Sequence, residues 1–326
     1  MRWHGFCLGR LHMFDYGTHI RKLVVMSAAA LSLGACIDSD LGDTDEEVAY
    51  AMTLNAMTLN AMGQAAVTGK GKLLADQPLG QNSVSAGLAV DVFGQNITPG
   101  QELLKYTARC ALEAGEKLVI KDTNGKVHSW PGTLGLLSKT AGAKLGLNWT
   151  KAALPAEGVR WWMACMLAHV NAFQTPVELS LRGPHPALEN PSASERKDFP
   201  HTEGAFYGDF GDSNDDAINE RMYACFSEEL FLECERSFPG QGKAMAIHTI
   251  HQRVCAHGGC DNFQVVAPCT NFLGDGKYAC ETEIDGWFTD CHTVASISKG
   301  NWPVPTKYAE VGTVNLKEIS CSARPD

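Results

Sequence analysis

The chain has 326 residues, with 27 Lys and Arg against 37 Asp and Glu, for a formal net charge of −10. Nucleic acid is a poor partner for such a balance, because basic residues must neutralise its phosphates. Twelve cysteines point to an oxidising compartment.

The leading elements name that compartment. His19-Ile20-Arg21-Lys22 is basic, and the 13 apolar or small residues Leu23–Ala35 follow it. This is the build of a secretory signal, whose apolar region runs roughly 7–15 residues. It is too short for a membrane span of about 20 residues. Leu33-Gly34-Ala35-Cys36 resembles the bacterial lipobox. That resemblance implies cleavage before Cys36, lipidation of its thiol and a palmitate-bearing outer-membrane lipoprotein, with Ile37 standing where an inner-membrane retention aspartate would be. Met1–Thr18 is long for a basic region and holds Trp3, Phe6 and Phe14, so the start is left open between Met1, with a signal peptide over 1–35, and Met13, which would leave Cys7 outside. Cleavage removes 4 of the 27 basic and 1 of the 37 acidic residues, so the remaining 291 residues carry −13. The membrane partner is then reached through the lipid.

Ten cysteines remain beyond Cys36: Cys110, Cys165, Cys225, Cys234, Cys255, Cys260, Cys269, Cys280, Cys291 and Cys321. An even number in an oxidising space reads as disulfides, with connectivity left open.

Along the chain, "DSDLGDTDEE" is a solvated acidic stretch, and "AMTLNAMTLNAM" gives a five-residue unit twice and begins a third. Repeat folds need about three units, so residues 36–97 read as a flexible tether. "TPGQ" at Thr98 offers a capping box with proline at the first helical position. Leu103, Tyr106, Thr107 and Cys110 then share one helix face. "KLVIKDTNGKVHSW" reads as a hairpin with a two-residue Asn124-Gly125 turn. A second helix, about Glu157 to Phe173, is apolar nearly all round and puts Trp162, Cys165, Met166 and His169 on one face. "VELSLR" alternates, predicting Val177, Leu179 and Leu181 inward and Glu178, Ser180 and Arg182 outward. A third helix is expected around "GKAMAIHTIHQRV". From Cys255 to Cys291 five cysteines fall within 37 residues, the look of a lobe in which bridges substitute for a thin core. The expected fold is α+β: two packed helices with a hairpin or small antiparallel sheet over 98–205, then an irregular disulfide-rich lobe over 206–326. Cys110 and Cys165, both on apolar helix faces, are the expected bridge between the two helices.

"YTARCAL", "WWMACMLAHVNAFQTPVELSLRG", "EGAFYGDF" and "YACF", with the cysteine-rich tail, resemble a group of secreted lipoproteins of myxobacteria and their relatives. The resemblance spans about Pro99 to Cys291. It implies export and disulfides, and it transfers no activity and no catalytic residue.

Candidate chemistry is sparse. His248, His251, Cys255, His257 and Cys260 have zinc-type donors, but the glutamate of a zincin is missing and the thiols are expected to be bridged. Asp209, Asp212, Asp215 and Asp216 suit calcium in type but not in spacing, since Tyr223 falls where an EF-hand needs glutamate. His201 and Glu203 could pair as acid and base. His169, on an apolar face, reads as a core histidine, and His128 and His185 stand apart. No Gly-x-Ser-x-Gly, phosphate-loop or Cys-x-x-Cys motif occurs. The sequence therefore predicts no catalytic, cofactor or metal residue. A non-catalytic binding or structural role at the cell envelope is the expectation, with a secreted hydrolase or a metal-binding protein as alternatives.

Overall fold

The computed structural model describes residues 52–55, 79, 97–121, 127–172, 177–209, 221–255, 263–293 and 307–321. Cys36, the acidic stretch and the Asn124-Gly125 turn lie outside them, as do the side chains of the Thr98 capping box. In chain order the elements begin with β1 (Met52–Asn55), α1 (Ile97–Ala111), β2 (Lys117–Lys121), β3 (Val127–Pro131), α2 (Ala141–Lys144) and α3 (Ala156–Ala168). Then come β4 (Val177–Arg182), α4 (Ala193–Asp198), β5 (His201–Asp209), β6 (Arg221–Phe226), α5 (Glu228–Ser237) and α6 (Gly242–Cys255). The last are β7 (Phe263–Pro268), β8 (Cys280–Ile284), β9 (Trp287–His292), β10 (Lys307–Tyr308) and β11 (Gly312–Leu316).

The fold mixes helix and sheet, as the sequence implies, but its centre is a six-stranded sheet ordered β1-β4-β11-β5-β6-β7. All neighbours are antiparallel except β6 and β7. Smaller sheets pair β2 with β3 and order β10-β9-β8. The expected division at 205/206 fails, because β5 runs across it and β11 lies between β4 and β5. The expected irregular lobe is likewise corrected: residues 206–326 supply β6, β7, β11 and two helices to the same sheet. Nor is the core thin. Phe226, Leu230 and Ile250 are fully buried in one cluster with Trp149 and Trp162, and Tyr207 and Tyr308 are fully buried in a second.

The helix faces explain the first half. Leu103, Tyr106, Thr107 and Cys110 of α1 are all buried. α3 buries nine residues, from Gly158 to Ala168, because it sits between α1 on one side and β5 and β11 on the other. It stops at Ala168, with His169 as its C-cap. The Cys110–Cys165 bridge joins the two helices with Cα atoms 6.0 Å apart.

The β2–β3 ladder is described as far as Lys121 opposite Val127. One local expectation changes. In β4, Leu179 and Leu181 are buried, but so are Ser180 and Arg182, while Val177 is exposed. The strand is interior, flanked by β1 and β11, and α4 meets its second face: Ser180 Oγ donates to Glu195 Oε1 at 2.6 Å and Arg182 to the Phe199 carbonyl at 2.8 Å.

The tether expectation also changes. Met52–Asn55, within the repeat, is the edge strand β1 against β4. Leu79 is 4% exposed, and its N–H donates to the Trp149 carbonyl at 2.7 Å.

Between sheet and helices lies one buried charge pair. Arg253 of α6 donates to the Glu203 carboxylate on β5 and to the Ala168 carbonyl at the end of α3. Its guanidinium lies 4.8 Å over the Phe206 ring. Beside it Gly204 is obligatory, since a Cβ there would stand 2.1 Å from the Cys225 carbonyl oxygen on β6. Arg253→Met strands a buried carboxylate and is expected to cost about 3–5 kcal/mol in chemical denaturation. Adding Glu203→Gln to it should recover part of that loss; equal or greater loss in the double variant would contradict the pairing.

Candidate functional site

The residues singled out in the sequence do not converge. His201 and Glu203 lie two apart on β5 but face different partners. His201 Nδ1 is 3.9 Å from Glu229 Oε2 in the open, while Glu203 is held inside by Arg253. Burial pushes the Glu203 carboxyl up, and the Arg253 charge and hydrogen bond oppose it. No acid–base pair forms between them. Asp209, at the end of β5, accepts the Tyr308 hydroxyl at 3.1 Å, and Asp212, Asp215 and Asp216 lie outside the described residues. His248 and His251 fall on α6, with the His251 ring 6.1 Å from that of Phe263. His257 and Cys260 lie outside the described residues.

Two histidines are wholly internal. His169 is fully buried, with Nδ1 2.7 Å from the Cys165 carbonyl, so that nitrogen carries the proton. Burial pushes its pKa down to about 3, against a raising effect of that bond and with further lowering by Arg109 and Arg253. His185 accepts the Ala187 N–H on Nδ1 at 3.1 Å and stacks edge-on to Trp161 at 4.9 Å. An accepting Nδ1 requires a neutral ring, and burial lowers His185 to about 4.

All nine described cysteines are in disulfides. Cys110–Cys165, Cys225–Cys269, Cys234–Cys321 and Cys280–Cys291 are closed pairs, and Cys255 is disulfide-bonded as well. Two of the bridges touch, with Cys225 Sγ 3.5 Å from Cys280 Sγ. Cys110, Cys165 and His169 gather within metal-ligating distance, as do Cys225, Cys280 and Cys291. Every thiol in both groups is engaged by another sulfur, so neither offers the thiolates a metal requires.

The polar cluster that does form was not flagged in the sequence. β8 and β9 are joined by Asp285 and Gly286, both at positive φ (49° and 86°), which suits a tight two-residue hairpin. Cys280 and Cys291 face each other across it, and alternation turns their neighbours outward. On that outward face Glu281 Oε1 is 2.8 Å from His292 Nε2, and Glu281 also accepts from Lys307 Nζ. Lys307 reaches Asp290 at 3.5 Å, and Asp290 itself has φ 58°. The Lys307 and His292 bonds, in that order, hold the Glu281 carboxyl below its ordinary range, and the Glu281 bond raises Lys307. Chemically this is a half-exposed, charge-compensated surface: two carboxylates, an ammonium and an imidazole on a disulfide-braced ribbon.

The inward side is closed. Tyr207 donates to the His292 carbonyl at 2.7 Å, and its ring stacks near Tyr223 and Tyr308. Burial, then the Tyr223 charge, raises the Tyr207 pKa well above its usual value. Arg160 of α3 grips Glu310 through two bonds, at 2.7 and 2.6 Å, tying the segment between β10 and β11 to the helix. Comparison with family models, with curated proteins and with solved structures yields no match.

The buried histidines make stability pH-dependent. Both have folded pKa values below the unfolded 6.5, so the unfolded chain binds the extra protons. Their stabilising effect is complete above pH 6.5 and is lost as pH falls toward about 4 for His185 and about 3 for His169. At pH 5 each should cost about 2 kcal/mol relative to pH 7. His169→Asn and His185→Asn, whose amides replace the Nδ1 bonds, should each remove about that much from the acid sensitivity measured by denaturant titration. An unchanged pH slope in both would overturn the assignment.

Proposed function

We propose that this is an exported protein, lipid-anchored through Cys36, with a non-catalytic binding or structural role at the cell envelope, most fittingly the outer membrane. The carrying observation is the state of the sulfur: every described cysteine is in a disulfide, which favours an oxidising space. The lipobox-like Leu33-Gly34-Ala35-Cys36 supplies the route there, and the likeness to secreted myxobacterial lipoproteins agrees with it. Among the described residues no helix is long and apolar enough to cross a membrane. In this reading the acyl chains on Cys36 make the attachment.

A binding or structural role is supported by how the reactive groups are occupied. Glu203, Glu195, His169 and His185 each make an internal contact that the fold uses. The charged ribbon of Glu281, Asp290, His292 and Lys307 is the surface best suited to a polar partner. Intact mass spectrometry of protein from its native host tests the reading. The expected mass starts at Cys36, includes acyl chains, and lacks two hydrogens for each bridge. Cys36→Ser should move the protein from the membrane to the soluble envelope fraction. An uncut, unacylated chain with free thiols would sink the reading.

A further inference from the structure

The unit Ala-Met-Thr-Leu-Asn occurs at 51–55 and again at 56–60. β1 is Met52–Asn55 of the first copy, paired antiparallel with β4 from Met52 opposite Ser180 to Asn55 opposite Val177. The second copy offers the same four residues in the same order at Met57–Asn60. A sheet edge recognises a strand by its backbone and by the side chains set opposite its own. Strands normally keep one register because a slip of one residue sends every side chain to the wrong face. A shift of one whole unit escapes that penalty: each position along β4 meets the residue type it met before.

The chain is fastened downstream, where Leu79 is buried and bonded to Trp149. The 18 residues from Ala61 to Pro78 separate the second copy from that point. With the first copy docked the link to Leu79 is the 23 residues Ala56–Pro78, and with the second docked it is these 18, which fully extended could still span roughly 60 Å.

We propose that the outer edge of β4 is a docking site for this unit and accepts either copy from its own chain. The segment between Cys36 and the sheet then has two lengths, differing by five residues or roughly 17 Å of reach. Only the meaning of that reach rests on Cys36 being the anchor; the two-register docking does not.

Hydrogen exchange of the β4 peptide in the full-length protein, purified in detergent, tests it. Thr53→Pro with Leu54→Pro blocks the first copy, and Thr58→Pro with Leu59→Pro blocks the second. Adjacent residues are replaced because successive strand N–H groups point to opposite edges, so one of the two always faces β4. Losing one of two equivalent docked states should speed exchange about twofold in either variant, and the four-proline variant should exchange on the order of tenfold faster. Deleting Ala56–Asn60 removes one register without proline and should again give about twofold. β5, in the sheet centre, serves as the control and should not change. The proposal is overturned if blocking the first copy alone matches the four-proline variant, or if the deletion changes nothing. It is equally overturned if the four-proline variant stays protected, or regains protection when wild-type protein is added, which would mean docking between chains. The same pattern in Cys36→Ser protein would separate this result from any failure of the anchor.

Discussion

The Arg253–Glu203 pair is the constraint on which the rest depends. Arg253 belongs to α6, Glu203 to β5, and the Ala168 carbonyl that shares the guanidinium ends α3. Three elements from both halves of the chain thus meet at one cation. Arg253 and Glu203 are 9% and 4% exposed, so neither charge can be satisfied by water. A buried charge without its partner is far costlier than the pair is favourable, which makes the arrangement specific rather than merely attractive. The chain enforces it from a second side, since the Arg253 carbonyl accepts the Ala172 N–H at 2.7 Å. Gly204 permits it from a third by letting β5 lie close against β6. This is why no boundary can be drawn near residue 205: the strand that would be cut carries the anion.

The disulfides work around this centre rather than in place of it. Cys110–Cys165 locks two helices already packed by apolar faces. Cys225–Cys269 and Cys280–Cys291 lie in a second buried cluster with Tyr207 and Tyr308, under the charged ribbon. Cys234–Cys321 ties α5 to the stretch beyond β11. A bridge acts chiefly by restricting the unfolded chain, and more so when the loop it closes is long. The separation of 87 residues at Cys234–Cys321 makes that one the largest such restriction among the described bridges. The ribbon gains something different: with Cys280 and Cys291 directly opposed, its outward charges are held by a short covalent crosspiece and not by packing alone.

What the sequence shows and what it hides follow from range. α1, α3 and their bridge are legible because helix periodicity and a cysteine on the apolar face are local signals. Half of β4 is legible too: Leu179 and Leu181 mark one buried face. Burial of Ser180 and Arg182 is not, because it depends on α4, whose Glu195 and Phe199 carbonyl receive them. The density of cysteines over 255–291 suggests a thin core, but aromatic residues on either side of that stretch fill it, with Phe226, Tyr207 and Tyr308 fully buried. The charged ribbon carries a local signal, Asp285-Gly286 between alternating residues, the mark of a tight hairpin. Lys307, arriving from a different stretch, carried none. The sheet order was beyond reach, since nothing local to residues 312–316 says they sit beside β4.

That position of β11 governs the order of events during synthesis. It is the last strand described in the chain, yet it lies between β4 and β5, with Val314 facing Leu181 on one side and Gly204 on the other. Ribosomes release the N-terminal part first, so β4 and β5 emerge with a gap between them that only residues 312–316 can fill. The β4–β11 and β11–β5 pairings therefore wait until residues 312–316 have been made, and such long-range pairing is slow to form. A nascent chain of this kind stays threadable, and any pore that handles only extended substrates would find it still open.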